Sequence, residues 1–313
     1  MKLYNIQKNL TRFTAVMAIV MLFSYCKSDV SGNEELEIDD FALIEVAEKT
    51  NTGNQDLNVS FLLDLSDRID PKKYPNPTMD FYERDAAYIQ SVSDAFYSHL
   101  RSKKVRLMND KIQVFFDPEP LNSNINDMSA ALKYSFTRKT TTIDKIEQVK
   151  KTYSTTPIEI YKLAIEDSKY IGSDTWKFFK SKARDYCMEE NHRNILVVLT
   201  DGYIYHENSK FKEENKSTYI TPKTIRANGL NTSKWEEKFN DNKYGFIPAT
   251  KGLDNLEVLV LGINPDNKNP YEEDVIRKYW SEWFDAMGVQ KYEIKTAGLP
   301  TNMDKVIKDF ILK

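Results

Sequence analysis

The amino-acid sequence predicts an α/β domain, doubly wound, with a mostly parallel central sheet and helices on both faces. Three runs, at 59–63, 194–199 and 256–261, are predominantly apolar rather than strictly alternating, which is typical of strands buried on both faces. Amphipathic helical segments lie between them, and strands that alternate with helices favour a parallel sheet. The chain has 313 residues, of which 41% are hydrophobic and 12% aromatic, so it can form a large core.

The N-terminal residues have the architecture of a signal peptide. An apolar run at 13–25 follows three basic residues, Lys2, Lys8 and Arg12. The run is shorter than the roughly 20 residues of a membrane-spanning helix. We interpret residues 1–25 as a signal peptide and the polar, acidic residues 26–56 as a tether to a folded domain that begins at 57.

The end of this apolar run resembles the lipobox of bacterial lipoproteins, although Phe23 and Tyr25 depart from its usual residues. In lipoproteins the cysteine becomes the lipidated first residue. The resemblance therefore implies lipidation of Cys26 and a membrane-anchored protein of the bacterial cell envelope, facing the periplasm or the cell surface. An ordinary secretory signal and an uncleaved anchor are the alternatives.

Charge and cysteine content narrow the possible partners and the means of stabilisation. The net charge is -3, and it becomes -6 once residues 1–25, with three basic and no acidic residues, are removed. General nucleic-acid binders are usually basic, so we expect no nucleic-acid partner. If Cys26 is acylated, Cys187 is the one remaining thiol and no intrachain disulfide can form. Cys187 falls in an apolar helical stripe, which predicts a buried core residue.

The first half of the domain has the pattern strand, helix, strand. After the strand at 59–63 comes a helix at 80–103, whose apolar residues recur at spacings of three and four. A strand at 111–116 alternates apolar and polar residues. Residues 128–134 are assigned to a helix, and 140–142 to a loop or an edge strand.

A helix start is predicted at Thr156, because Pro157 follows at the first helical position and Glu159 comes three residues after the threonine, as in a capping box. The remaining elements, in order, are a helix at 174–188, a strand at 194–199, a polar insert at 203–255 with scattered aromatic residues, a strand at 256–261, a helix at 275–287 that ends at Gly288, a strand at 292–295 and a helix at 303–312.

Oxygen-bearing side chains follow two of the predicted strands. Asp64 and Ser66 come after the first strand, and Asp201 comes after the strand at 194–199. Ligands of open α/β sheets bind beyond the carboxyl ends of the strands, so we expect these residues at one edge, together with Thr156. Carboxylates and hydroxyls are ligands that Mg²⁺ or Mn²⁺ prefers. Zinc is disfavoured, because the three histidines are scattered and the mature chain has one isolated thiol.

This order of motifs resembles the von Willebrand factor A-type domain with its metal-ion-dependent adhesion site, over residues 57–313. In that family the first strand ends in Asp-x-Ser-x-Ser, a threonine precedes a later helix, and an aspartate lies in Thr-Asp-Gly. Here Asp64, Ser66, Thr156 and Asp201 match. The resemblance implies a divalent cation at these four residues, which a carboxylate of a partner protein can complete.

Arg68 departs from the family pattern, because it stands where the second serine is expected. A guanidinium has no lone pair to donate to a metal ion. Two arrangements follow. Arg68 pairs with Asp64 or Asp201 and the site holds no metal, or Arg68 swings out toward Asp70 and leaves a weakened Mg²⁺ or Mn²⁺ site.

Two functions are compatible with this pattern. The first is a membrane-tethered, non-enzymatic binding module that engages a protein partner through the strand-end site, with Arg68, Asp67, Asp70, the loop at 68–78 and the insert at 203–255 around it. A partner carboxylate would then meet either the cation or Arg68, whose fork geometry suits carboxylates.

The second function is a phosphatase-like or phosphoryl-transfer enzyme with Asp64 as the nucleophile and Asp201 as a metal ligand. It is disfavoured because the chain has no glycine-rich phosphate loop, nucleophile elbow or Cys/His pair. A purely structural role is a further alternative, in which Asp64 and Ser66 cap a turn, Thr156 caps a helix and Asp201 accepts from loop amides.

Overall fold

The computed structural model describes residues 55–170 and 172–313. The predicted signal peptide, the predicted lipidation at Cys26 and the expected tether up to residue 54 lie outside the described residues. The first strand begins at Asp56, at the end of the expected tether. Within the described residues, no helix combines the length and the hydrophobicity needed to cross a bilayer.

The domain contains strands and helices in alternation. The strands are β1 (Asp56–Leu63), β2 (Asn109–Phe115), β3 (Tyr134–Thr137), β4 (His192–Leu199), β5 (Lys212–Glu213), β6 (Lys216–Ser217), β7 (Gly245–Phe246), β8 (Leu256–Ile263) and β9 (Lys291–Thr296). The helices are α1 (Phe81–Ser102), α2 (Ser123–Ala131), α3 (Ile143–Asp167), α4 (Thr175–Ser181), α5 (Ala183–Cys187), α6 (Pro222–Ala227), α7 (Trp235–Asp241), α8 (Glu272–Met287) and α9 (Pro300–Leu312).

The main sheet has six strands in the order β3-β2-β1-β4-β8-β9. All neighbouring strands are parallel except β3, which pairs antiparallel with β2 at one edge. The predicted fold class, a mostly parallel sheet with helices on both faces, is confirmed. It is also the architecture that the resemblance to the von Willebrand factor A-type domain implies.

Two hydrophobic cores lie on opposite faces of the sheet, because successive residues of a strand point to opposite sides. On one face Phe61 of β1 packs with Phe96 of α1 and Tyr153 of α3. On the other face Leu62 belongs to the core that contains Trp283 of α8 and buried Cys187. The prediction that Cys187 is a core residue is confirmed.

The insert between β4 and β8 is folded onto the second core. Phe239 and Phe246 are buried, and their rings meet Tyr279 of α8 at centroid distances of 5.0 and 5.2 Å. Strands β5, β6 and β7 form a small separate sheet within the insert. The insert is thus held in place beside the strand ends rather than extending away from them.

The predicted helix start at Thr156 is wrong. Helix α3 begins at Ile143, with the Thr142 side chain accepting a hydrogen bond from the Lys145 amide at 3.1 Å, and Pro157 lies inside the helix. The apolar stripe formed by Ile146, Val149, Tyr153, Pro157, Ile160, Tyr161 and Ala164 is buried along its length. Burial of that continuous stripe outweighs the preference of proline for a first helical turn.

Two other predicted helices differ in extent. The segment predicted as helix 128–134 is helical only to Ala131, and Tyr134 starts strand β3. The segment 174–188 is divided into α4 and α5 at Lys182, whose φ of -126° is not helical. Residues 140–142 form the loop before α3 rather than an edge strand, which lies at 134–137 instead.

Candidate functional site

The carboxyl ends of β1 and β4 place Asp64 and Asp201 at the same edge of the sheet. The two strands are parallel neighbours, with Leu63 opposite Leu199, and the Asp64 amide donates to the Leu199 carbonyl at 3.2 Å. Each carboxylate also accepts from the amide two residues later, at 2.8 Å from Ser66 and 3.0 Å from Tyr203. The predicted convergence of the two strand ends is therefore present, and both aspartates shape the turns that follow the strands.

The Arg68 side chain points into the site. Ser66 precedes a single 3₁₀ turn, Asp67–Ile69, which turns the chain back toward the strand end. Arg68 Nε lies 3.0 Å from Asp64 Oδ2, and Arg68 Nη2 lies 2.5 Å from Asp85 Oδ2. The side chain is only 6% exposed. Of the two predicted arrangements, the inward one is observed: Arg68 pairs with Asp64, one of its two predicted partners, and also with Asp85, which was not predicted.

Asp70 does not receive Arg68. Its carboxylate accepts from the Tyr170 hydroxyl at 2.9 Å and from the Lys72 amide at 2.9 Å. These donors favour the ionised form, with the Lys72 amide contributing most, and hold the pKa of Asp70 below its usual value. The outward arrangement of Arg68 is therefore wrong, because Asp70 is occupied by other donors.

Asp85 is a functional-site residue that the sequence reasoning missed. It lies on α1, is 1% exposed, and accepts from the Tyr161 hydroxyl of α3 at 3.2 Å as well as from Arg68. Asp85 precedes Ile89 by four residues and Val92 by seven, so it lies on the apolar face of its helix. A carboxylate at a core position of an amphipathic helix is the signal that could have identified it.

The carboxyl groups at this edge have shifted pKa values, because they are close to one another and largely removed from water. Burial raises the pKa of Asp85 above its ordinary value, and Arg68 offsets part of that effect. Burial and the neighbouring Asp64 carboxylate raise the pKa of Asp201 to about 7, with Arg68 acting in the opposite direction. Both shifts favour the protonated form of these carboxyl groups, which limits the negative charge that gathers around Arg68.

The predicted metal ligands do not form a site that fits Mg²⁺ or Mn²⁺. Both Asp64 oxygens are engaged, one by the Ser66 amide and one by Arg68. That leaves the Ser66 hydroxyl and the Asp201 carboxylate, fewer side-chain donors than the four expected, beside a guanidinium that repels a cation. Across residues 55–170 and 172–313, no group of three or more His, Cys, Asp or Glu side chains could hold a metal ion.

Thr156 is not brought to the strand ends. It lies in the middle of α3, 11 residues or roughly 16 Å of helix before the end at Asp167. The C-terminal end of α3, not its middle, is next to the site, because Ser168 and Tyr170 line the same cavity as Asp64. The expectation that Thr156 joins the other donors depended on the wrong helix start.

An open cavity of about 670 Å³, which we call the strand-end cleft, covers these residues. Its walls carry four tyrosines, Tyr74, Tyr170, Tyr203 and Tyr205. Asp64, Ser66, Asp67 and Asp201 also line it, so three of the four predicted metal ligands meet in one cavity. Lys73 pairs with Asp67 at 3.1 Å on the exposed rim.

The start of the insert is anchored firmly beside the cleft. Gly202 has a φ of +97°, and a Cβ there would lie 2.8 Å from both Ile263 and Ile276. The Trp280 indole donates to the Gly202 carbonyl at 2.9 Å, and the Tyr203 hydroxyl donates to buried Glu272 at 2.7 Å. The glycine of Thr-Asp-Gly is therefore required both by its backbone conformation and by the close packing of α8.

No family model matches the sequence, and no curated protein matches it. Among solved structures, the chain is similar to an aerotolerance-related membrane protein from Bacteroides fragilis, with 13% identity and a TM-score of 0.36 over 82% of this chain and 98% of that one. It is also similar to the pilus adhesin SpaC from Lactobacillus rhamnosus GG, with 9% identity and a TM-score of 0.38 over 82% of this chain and 30% of that one. Likenesses this remote assign neither a family nor a function.

Proposed function

We propose that the domain is a metal-independent, non-enzymatic module that binds a protein partner at the strand-end cleft, on the bacterial cell envelope. The observation that carries this proposal is the position of Arg68. Its guanidinium engages Asp64 and Asp85 from within the protein. The charge that a bound cation would supply in an adhesion-type site is therefore supplied in part by the chain itself.

The walls of the cleft have the composition of a protein-contact surface. Tyr74 and Tyr205 are 46% and 44% exposed, and both line the cleft. Tyrosine is enriched at protein interfaces, because it offers a large contact area with one polar group and little conformational entropy to lose. Beneath these rings the floor is fixed by buried ion pairs and by the anchored insert, so little reordering is needed on binding.

The arrangement gives little support to a phosphatase-like enzyme. Asp64, the candidate nucleophile, is 4% exposed and accepts hydrogen bonds on both oxygens. A nucleophile must be within reach of the substrate, and Asp64 is buried and paired with Arg68. A phosphoryl group at this site would also need a cation that the donor set does not hold. Binding without turnover is therefore the function we propose.

The cell-envelope location rests on the leader. The basic and apolar residues 1–25 with Cys26 at their end predict export and lipidation, which would tether the domain to a membrane. Mass spectrometry of the mature N-terminus tests this part separately. A diacylated or triacylated Cys26 would support it, whereas an unmodified mature N-terminus at another residue would contradict it.

Site-specific photo-cross-linking in intact cells tests the proposed binding surface. A photoreactive phenylalanine analogue is placed at Tyr205 in the cleft, and in a matched control at Ile143, which is 68% exposed at the opposite end of α3. These positions are suitable because the 25-residue helix separates its two ends by roughly 36 Å. We expect one envelope protein to be cross-linked from Tyr205 and not from Ile143, with the same yield when EDTA is added.

Two results would overturn the proposal. Equal cross-linking from Ile143 would mean that the cleft is not the contact surface, and loss of the cross-link in EDTA would mean that binding needs a metal. A substrate screen provides a further check, because phosphatase turnover that Asp64→Asn abolishes would replace the binding function with an enzymatic one.

A further inference from the structure

A second cavity adjoins the strand-end cleft on the far side of Asp201. This cavity, which we call the side pocket, has a volume of about 440 Å³. Phe81, Pro222 and Pro265 supply apolar surface, while Arg68 and Asp201 supply polar groups. Small cavities with apolar walls and a few convergent polar groups are typical of sites for a single side chain or a small ligand.

Arg68 brings one free donor to the side pocket. Its Nε and Nη2 atoms are engaged by Asp64 and Asp85. Nη1 has no hydrogen-bond partner among the residues that the structure describes, although the side chain is more than nine-tenths buried and lines the pocket. Nη1 is not among the fully buried atoms of the described residues that lack a partner, so it reaches the pocket and can donate to a ligand there.

Asp201 brings one free acceptor to the same pocket. Its Oδ1 atom accepts from the Tyr203 amide at 3.0 Å, and within the described part of the chain Oδ2 accepts no hydrogen bond. Arg68 and Asp201 influence each other electrostatically, yet no ion pair within 4.0 Å joins them. A donor and an acceptor therefore line the same cavity, and they are too far apart to pair directly.

The surrounding charges disfavour an anionic ligand. Arg68 is already paired with two buried carboxylates, Asp64 and Asp85, and the partly exposed Asp201 carboxyl group lies in the same pocket. Lys268 at the rim is exposed, so its charge is screened by solvent. We therefore favour a neutral ligand over the partner carboxylate that Arg68 alone would attract, because Asp64 and Asp85 already offset the charge of the guanidinium.

We propose that the side pocket binds the neutral carboxamide of a glutamine or asparagine side chain from the protein partner, its carbonyl accepting from Arg68 Nη1 and its N–H donating to Asp201 Oδ2. The methylene groups of that side chain would pack against Phe81, Pro222 and Pro265. This inference rests on the proposed binding function and names the chemistry of the partner's anchoring group.

Titration calorimetry with capped tripeptides on the full-length protein tests this inference. The probes are acetyl-Gly-Gln-Gly-amide, acetyl-Gly-Glu-Gly-amide and acetyl-Gly-Lys-Gly-amide, which share a backbone and differ in one side chain. We expect the glutamine peptide to bind at least about tenfold more tightly than the other two, the equivalent of about 1.4 kcal/mol.

Asp201→Asn provides the decisive variant, because it removes a charge and presents a donor to the pocket. We expect this variant to lose its preference for glutamine over glutamate or to reverse it. Asp274→Asn is the matched control, since Asp274 is exposed in the first turn of α8 and lines neither cavity. It should leave the preference unchanged.

Equal binding of all three peptides would overturn the inference, because it would indicate recognition of the backbone. Tighter binding of the glutamate peptide, or no binding by any peptide at the highest soluble concentration, would also overturn it. The proposed binding function is tested separately by cross-linking from Tyr205. A specific cross-link combined with no glutamine preference would retain the binding module and reject the carboxamide site.

Discussion

Arg68 and Asp85, 17 residues apart, form a buried ion pair in which Nη2 and Oδ2 are separated by 2.5 Å. The pair connects the turn after β1 to the first helix and lies beneath the strand-end cleft. Asp64 on the other side of the guanidinium makes the arrangement a three-residue network. Removal of one member of such a network leaves the others charged and desolvated, so the free energy of unfolding should be sensitive to each of the three residues.

Replacement of Arg68 by methionine should strongly destabilise the domain. Asp64 and Asp85 would remain buried without their cation, and breaking a buried pair in this way costs about 3–5 kcal/mol. Urea denaturation followed by circular dichroism measures the change in the free energy of unfolding. Lys73→Met is the matched control, because Lys73 pairs with Asp67 on the exposed rim and should change stability by less than about 1 kcal/mol.

A double variant separates lost charge pairing from lost packing. Asp85→Leu in the Arg68→Met background removes the stranded carboxylate, so part of the lost stability should return. No recovery in the double variant would mean that the methionine fails for steric reasons and that the ion pair is not the cause.

The centre of the sheet was predictable from the sequence because β1, β4 and β8 are predominantly apolar runs, and the site was predictable only where it lies next to those runs. Asp64 and Asp201 follow β1 and β4 directly, so the parallel register alone brings them together. Asp85 lies on the apolar face of α1, which the sequence shows, but its pairing with Arg68 depends on tertiary packing that no local motif encodes. The predicted helix start at Thr156 was wrong for the opposite reason, because the longer amphipathic stripe of α3 outweighed the local capping motif.

Two threonines of α3 should differ sharply in their effect on stability. Thr142 accepts a hydrogen bond from the Lys145 amide at the true helix start, so Thr142→Ala should cost about 1 kcal/mol. Thr156 lies in the helix interior, where alanine has the higher helix propensity, so Thr156→Ala should cost less than about 0.5 kcal/mol. Chemical denaturation of both variants measures the difference. A larger loss at Thr156 would contradict the observed helix start.

Divalent metal should not stabilise the wild-type protein. The two oxygens of Asp64 are occupied and Arg68 repels a cation, so Mg²⁺ or Mn²⁺ at millimolar concentration should leave the melting temperature unchanged. Differential scanning calorimetry of the full-length protein measures this. An increase for the wild type that Asp201→Ala abolishes would show that a cation binds despite Arg68.

Arg68→Ser should create the metal dependence that the wild type lacks. The substitution completes the sequence Asp-x-Ser-x-Ser after β1 and exposes uncompensated carboxylates, which attract a cation. A metal concentration 100 times the dissociation constant would stabilise this variant by about 2.7 kcal/mol. Lys73→Ser is the control for a lost positive charge at the rim. If both serine variants respond equally to metal, the effect is one of general charge and not of the strand-end residues.

Asp201 should make stability fall as the pH rises. Its pKa in the folded protein is raised from 3.8 to about 7, because of burial and the Asp64 carboxylate, so between these values the folded state binds more protons than the unfolded state. The free energy of unfolding must then decrease through this window and become constant above about pH 7. The slope is at most about 1.4 kcal/mol per pH unit, and partial exposure of the carboxylate reduces it.

Asp201→Asn removes the titration, so its stability relative to the wild type should increase from pH 5 to pH 8. Asp274→Asn, at an exposed position on α8, should have the same pH dependence of stability as the wild type. If the pH profile of Asp201→Asn is also parallel to that of the wild type, Asp201 ionises without cost in the folded protein.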